Sequence, residues 1–176
     1  MVSEHITDYL QQHQIDVEWV QHDRAIPATR LAQQLHVSGR KFAKPVICKA
    51  DDAYCICLIP ANAELDLDEV ADLLGADNVR LADEDEFNRL FPDCEPGSEP
   101  PFGHLYQLPV IMDETLAVQE SIIFRGGSHE DAIEMSVEDF RRLEAPRIAS
   151  LVYGLASGPL PGRGPGQSFL TEAQQG

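Results

Sequence analysis

The chain has 176 residues, of which 43% are hydrophobic and 24% charged, and its formal net charge is −17. These proportions fit one globular domain with a proper core and exclude a disordered chain. So large an acidic excess repels nucleic acid at long range, which excludes indiscriminate coating of DNA.

Ser3 is placed to cap a first helix in which Ile6, Tyr9, Leu10 and His13 share a face. Val17, Trp19 and Gln21 then alternate with Glu18 and Val20 as a strand. Pro27 suits the first turn of a second helix, with Ala28, Leu31, Ala32 and Leu35 as its apolar stripe and Gly39 just past its end. Pro45–Lys49 and Tyr54–Ile59 read as a hairpin turning at Ala50-Asp51-Asp52-Ala53. A third helix starts at Asp66 or Asp68 and stops at Gly75, and Val79–Leu81 is strand-like. Asp83 with Glu86 forms a capping-box pattern for a fourth helix through Leu90. From Pro92 to Gly103 the prolines at 92, 96, 100 and 101 enforce an irregular loop. Leu108–Met112, Ser121–Phe124 and Ala132–Met135 read as strands, and Ser136 with Asp139 opens a last helix. Helices and strands are interspersed without strict alternation. The expected fold is therefore α+β, a single domain with a mixed, largely antiparallel curved sheet flanked by helices.

The expected domain spans residues 1–153. Beyond it, five glycines and three prolines lie within residues 154–167, so 154–176 is expected to be a flexible tail or linker. The N-terminal MVSEHITDYLQQ lacks the basic leader and apolar core of a secretion signal. The longest apolar run, 53–61, is about half a membrane span. A cytoplasmic location, with no membrane partner, follows as the expectation. Cys48, Cys55, Cys57 and Cys94 form no CxxC motif and no histidine pair has zinc spacing, so buried free thiols and no metal are expected.

Charge is distributed unevenly. Arg24, Arg30, Arg40, Lys41, Lys44 and Lys49 fall in 26 consecutive positions without one Asp or Glu, while all thirty acids lie elsewhere. Either this segment forms one anion-facing surface that grips a few phosphates, or acids from elsewhere fold against it.

One ordered set of segments carries a pattern of its own. It begins at His22-Asp23 and runs through Phe42-Ala43-Lys44-Pro45-Val46, Leu58-Ile59-Pro60-Ala61 and Leu65-Asp66-Leu67. Its strongest part is the continuous stretch from Leu90 to Gly103. Leu108-Pro109, Asp113, Gly126-Gly127-Ser128-His129 and Asp139-Phe140 complete it, over roughly residues 1–148. The set resembles the YbaK/prolyl-tRNA-synthetase-associated family of aminoacyl-tRNA editing domains.

The resemblance implies hydrolysis of the ester joining a wrong amino acid to the terminal adenosine of tRNA. Such editing exists because a synthetase pocket discriminates only about 1–3 kcal/mol per methylene. It implies a strand lysine, here Lys44, and a Gly-x-x-x-Pro loop, here Gly97 to Pro101, as the catalytic elements. The resemblance also implies that the tRNA's own ribose hydroxyl, or a water it positions, does the proton work, and it implies no cofactor. Val20, His22, Ser98, Phe102, Gly103, Arg125, Gly127 and Ser128 become candidate substrate contacts. Arg24, Arg30, Arg40, Lys41 and Lys49 become candidate tRNA contacts. The expected partner is the acceptor end of aminoacyl-tRNA, with an aminoacyl-tRNA synthetase as a further candidate and DNA excluded. The chemistry is consistent with these residues: loop N–H groups can stabilise an oxyanion, and Lys44 is a point cation. Three positions depart from common relatives, Val20, Pro45 and Arg125, so the amino acid removed is not inherited. The alternative is a non-catalytic tRNA- or protein-binding regulatory module that retains the fold.

Overall fold

A computed structural model describes residues 3–24 and 28–155 of the chain. Helix α1 (Glu4–Gln12) buries Ile6, Tyr9 and Leu10, as its apolar spacing requires. Ser3 occupies the N-cap position, but its hydroxyl donates to Asp93 Oδ2 at 2.7 Å instead of accepting from the helix amides, contrary to the sequence expectation. Strand β1 (Glu18–Gln21) and helix α2 (Ala28–Gln34) follow; Pro27 lies outside the described residues. The hairpin forms as expected but runs longer, pairing β2 (Ala43–Ala50) with β3 (Ala53–Pro60) from Ala43↔Pro60 to Ala50↔Ala53.

After the short β4 (Ala63–Leu65), Asp66 rather than Asp68 caps α3 (Leu67–Leu74), accepting from the Asp68 and Glu69 N–H groups. Gly75 ends the helix at φ 63°, a left-handed conformation suited to glycine. β5 (Val79–Leu81) leads into α4 (Glu84–Leu90), where the Asp83/Glu86 capping box is reciprocal. Beyond the proline loop come α5 (Gly103–Tyr106), β6 (Val110–Asp113), α6 (Glu114–Ala117), β7 (Ser121–Arg125), β8 (Asp131–Ser136) and α7 (Val137–Glu144). β9 (Arg147–Ala149) and β10 (Val152–Leu155) close the described chain. The pattern did not reveal α5, α6, β4, β9 or β10, each four residues or fewer and so too short to show a period.

Among the described residues the strands form three sheets: β5-β2-β3-β6-β9, β1-β8-β7 and β10-β4. In the first, β5, β2 and β3 pair antiparallel, whereas β3–β6 and β6–β9 are parallel. The other two are antiparallel. The α+β fold is as expected, with the strands partitioned into three sheets. The two larger ones meet where Phe42 bridges Ile123 in parallel and the Ile123 N–H donates to Lys41 O at 3.1 Å.

The main core gathers Phe91, Phe102, Phe124 and Phe140 with the buried face of α1. A second cluster, including Cys48, Cys57, Ile59, Val70 and Leu151, lies against α3, and a third joins Leu31, Phe42, Ala61, Ile123 and Ala132. Cys48, Cys55, Cys57 and Cys94 are free thiols. Among the described residues no cluster of His, Cys, Asp and Glu could hold a metal ion, and no helix is long and apolar enough to cross a membrane.

Gly103 starts α5 in a position with no room for a side chain, because a Cβ there would lie 2.2 Å from Leu108 O and 2.5 Å from Val110 Cγ2. Gly103→Ala is expected to destabilise the protein by about 2 kcal/mol or more, as overpacking against backbone does. Urea unfolding monitored by circular dichroism checks this, and an unchanged midpoint would contradict it.

Candidate active site

Lys44 lies on β2 opposite Ile59. Strand alternation puts it on the same face as Phe42 and Val46, between the third and second clusters. The surrounding apolar side chains leave it half-buried, and that desolvation lowers its pKa, while nearby Glu64 acts in the opposite sense. The Phe42–Ile123 bridge sets the register beside it: Lys44 is two residues past Phe42, and Arg125 is two residues past Ile123. The bridge is isolated, and the two strands otherwise belong to different sheets.

The proline loop is held against the β7–β8 turn. Glu95 N–H donates to Gly127 O at 2.9 Å, and Gly127 N–H donates to Ser98 O at 2.8 Å. His129 N–H donates to Glu95 Oε1 at 2.8 Å, and His129 Nε2–H donates to Pro96 O at 2.8 Å. The other ring nitrogen, Nδ1, then accepts from Arg125 Nη1 at 2.6 Å. His129 is therefore neutral with its proton on Nε2, and burial first, with the Arg125 charge, lowers its pKa. Gly127 adopts φ +99° and Gly97 φ +84°, both conformations that side chains resist. In the loop, Ser98 N–H is engaged by Glu95 O, and Pro100 and Pro101 have no N–H. Gly97 N–H has no backbone acceptor among the described residues.

Glu99, in the middle of this loop, is only 6% exposed. Its Oε1 has no hydrogen-bond partner among the described residues. Burial raises its pKa to about 8, with its own backbone N–H and the Arg125 charge pulling the other way. Arg125 is 5% exposed, and burial lowers its pKa while Glu99 supports its charge. The result is a buried polar group of Glu99, Arg125 and His129 beneath the loop.

The other expected contacts are placed as follows. His22 hangs from the same turn through its N–H to Glu130 O at 3.0 Å, and its buried Nε2 has no hydrogen-bond partner among the described residues. Ser128 donates to Asp131 Oδ2 at 2.6 Å and accepts from Glu130 N–H, so its hydroxyl shapes the turn. The buried Ser98 hydroxyl donates to Glu95 O at 2.7 Å. Phe102 is fully buried beside Tyr9 and Phe124, Gly103 is buried behind it, and Val20 packs with the third cluster. Of the proposed contacts, the structure thus brings His22, Ser98, Arg125, Gly127 and Ser128 together around the loop, while Phe102, Gly103 and Val20 belong to the packing behind them.

Acids from elsewhere reach into the acid-free segment. Arg24 approaches Glu95 at 3.4 Å, Lys41 pairs with Glu134 at 2.7 Å, and Lys49 lies over the Tyr54 ring at 5.6 Å. Lys49 is an odd number of residues from Lys44 and so faces the opposite side of β2. Arg30 and Arg40 are exposed. Sequence reasoning missed Glu95 and Glu99, which read as two more acids among thirty. His129 was visible only as the end of the Gly126-Gly127-Ser128-His129 run.

The chain matches the aminoacyl-tRNA editing domain over residues 24–143, and it belongs to that family. Its fold is similar to that of the hypothetical protein APE2540, with a TM-score of 0.77 and 18% identity over 85% of this chain and 99% of that one. It is also similar to a candidate trans-editing enzyme for prolyl tRNA synthetase, with a TM-score of 0.75 and 21% identity over 88% and 100% of the two chains. A candidate signal transduction protein from Marinobacter aquaeolei VT8 carries the fold in 31% of its length, matching 86% of this chain with a TM-score of 0.68 and 17% identity. No curated protein matches the sequence.

A carboxyl whose folded pKa lies above its unfolded value contributes stability below the unfolded value and loses it as pH rises toward the folded one. For Glu99 the window runs from about 4.5 to about 8. Lowered His129 acts in the opposite sense below its ordinary 6.5, so pH 7–8 isolates the glutamate. The parent should lose stability across pH 7–8 relative to Glu99→Gln, in denaturant titrations at each pH. Parallel profiles would show that Glu99 is ionised throughout.

Proposed function

We propose that this chain is a trans-acting aminoacyl-tRNA deacylase, which hydrolyses the ester between a wrongly attached amino acid and the terminal adenosine. Its membership of the editing-domain family, together with a left-handed Gly97 in a loop clasped to the β7–β8 turn, carries this reading. Water adds to the ester carbonyl, and the negative charge that develops on the carbonyl oxygen is stabilised by Gly97 N–H and by Lys44. Collapse breaks the ester bond, and the ribose oxygen leaves with a proton as a free hydroxyl. Burial favours the neutral form of Lys44, so an incoming phosphate or oxyanion restores the environment its charge lacks. Pro100 and Pro101 restrict the loop to a small set of conformations, so the donor needs little reorganisation during the reaction. Arg30 and Arg40 are the exposed cations best suited to tRNA phosphates, whereas Lys41 and Arg24 already face acids. Such an enzyme works in the cytoplasm, alone or beside a synthetase. The composition of the segment after β10 suits a tether.

The alternative is a binding module without catalysis. The occurrence of a similar fold within a longer candidate signal transduction protein favours keeping it in view. Activity separates the two. The pure protein should deacylate at least one member of a panel of mischarged tRNAs. Lys44→Ala should abolish that turnover with stability unchanged within roughly 0.5 kcal/mol. Gly97→Ala, which must strain φ or move the N–H, should lower turnover about a hundredfold. An inactive parent rules out the hydrolase, and a fully active Lys44→Ala removes the lysine from its mechanism.

Binding should also respond to salt. Neutralising Arg40 should flatten the slope of log affinity against log salt by roughly 0.7–0.9, the value of one lost phosphate contact. Lys41→Gln should change it less, because Glu134 already compensates that charge. Filter binding of tRNA across a salt series measures both slopes, and an unchanged slope for Arg40→Gln would move the tRNA surface elsewhere.

A further inference from the structure

We propose that Glu99 selects the aminoacyl group, its buried carboxyl accepting a hydrogen bond from a side-chain hydroxyl, so that the amino acid removed is a small hydroxylated one. The inference rests on the hydrolase reading and names the substrate class of that site. Its basis is the unsatisfied Oε1 of a side chain only 6% exposed, in the loop that also presents Gly97 N–H. A buried acceptor without a donor costs about 1–3 kcal/mol. A protein that retains one at its candidate site gains when a ligand supplies the missing donor.

Distance and charge narrow the donor. Gly97 and Glu99 are two residues apart, at most about 7 Å along the backbone. That separation is of the same order as the reach of one aminoacyl group, from an ester carbonyl at Gly97 N–H to a hydroxyl on its β-carbon. A cationic group, whether a basic side chain or the α-ammonium, would approach the Arg125 charge that already acts on Glu99. A carboxylate side chain would bury a second acid beside the first. A thiol is a weak donor, and a methyl group is none. A hydroxyl fits a neutral carboxyl best, because each can both donate and accept, and burial holds Glu99 toward its protonated form near neutral pH.

The test uses non-hydrolysable 3′-aminoacylamino-3′-deoxyadenosines in two pairs, seryl with alanyl and threonyl with valyl. Each pair differs chiefly by the hydroxyl. Calorimetry on the parent should show about tenfold or greater preference for the hydroxylated member of each pair. Glu99→Val should bring both ratios to about one; its thermal unfolding is measured beside the parent's, because the substitution also removes the carboxyl that supports the Arg125 charge. Glu99→Gln, which keeps an acceptor, should retain part of the preference and serves as the reference should the valine variant fail to fold. Equal affinities within each pair in the parent, no binding by any analogue, or a Glu99→Val variant that loses all four ligands equally would each overturn the proposal. The last pattern would assign Glu99 to the common α-amino group or to the framework. Deacylation of the matching charged tRNAs is measured in parallel. Analogue preference without turnover sinks the hydrolase reading while leaving the selection by Glu99; turnover without preference does the reverse.

Discussion

The clasp between residues 95–98 and the turn at 127–129 is the constraint on which the site geometry depends. An irregular proline-rich segment builds no hydrogen-bond ladder of its own, so its backbone groups need partners elsewhere. Here Glu95 and Ser98 exchange hydrogen bonds with Gly127, while His129 closes the arrangement through the Glu95 carboxylate and Pro96 O. The turn in turn belongs to the β1-β8-β7 sheet, which the Phe42–Ile123 bridge sets beside β2. One chain of contacts thus fixes the glycine loop relative to the strand that carries Lys44. It also explains why Gly127 is glycine: at φ +99° its N–H and C=O both face the loop, and a Cβ would lie 3.0 Å from Ile6 Cδ1.

Lys44 and the polar groups of the loop and turn share a second property. Lys44, Glu99, Arg125 and His129 all sit where burial is the first cause of their shifts, and in each case it favours the neutral form. Desolvated donors and acceptors act more strongly on an incoming charge than the same groups in water. Groups whose protonation is shifted by burial in this way cluster at functional sites. Glu95 behaves differently: the His129 N–H donating to its carboxylate is the main cause of its lowered pKa, with the Arg24 charge assisting. Two glutamates four residues apart in one loop thus serve opposite ends, one ionised and fastening the loop, the other driven toward neutrality inside it.

Charge segregation in sequence did not carry over whole into space. The six basic residues between Arg24 and Lys49 have no acid among them along the chain, yet Glu64, Glu95 and Glu134 approach three of them from later elements. Lys49 is separated from the rest by strand alternation. What remains of the patch is narrower than the segment suggested, with Arg30 and Arg40 as its exposed members. A local grip on a few phosphates suits a protein with net charge −17 better than a broad basic face would.

The helices with strong caps and periods were legible in the sequence, because Asp66, Asp83 and Ser136 satisfy amides within their own first turns. The hairpin was legible for the same reason, its strands being joined by a four-residue turn and paired residue by residue. The family could also be read from the order of motifs alone, and through it Lys44 and the Gly97–Pro101 loop became the proposed catalytic elements. Other features depended on partners distant in the chain. Ser3 gave its hydroxyl to Asp93, ninety residues on, and Phe102 turned into the core. The short strands β4, β9 and β10 exist only because another strand lies beside each of them. Glu99 looked like any surface acid until the loop folded over it. Short-range hydrogen bonds and periodic apolar faces are written locally and so were determined by the sequence itself. Burial, and with it the protonation of Lys44, Glu99 and Arg125, is set by contacts between segments distant in the chain, and only the tertiary structure decided it.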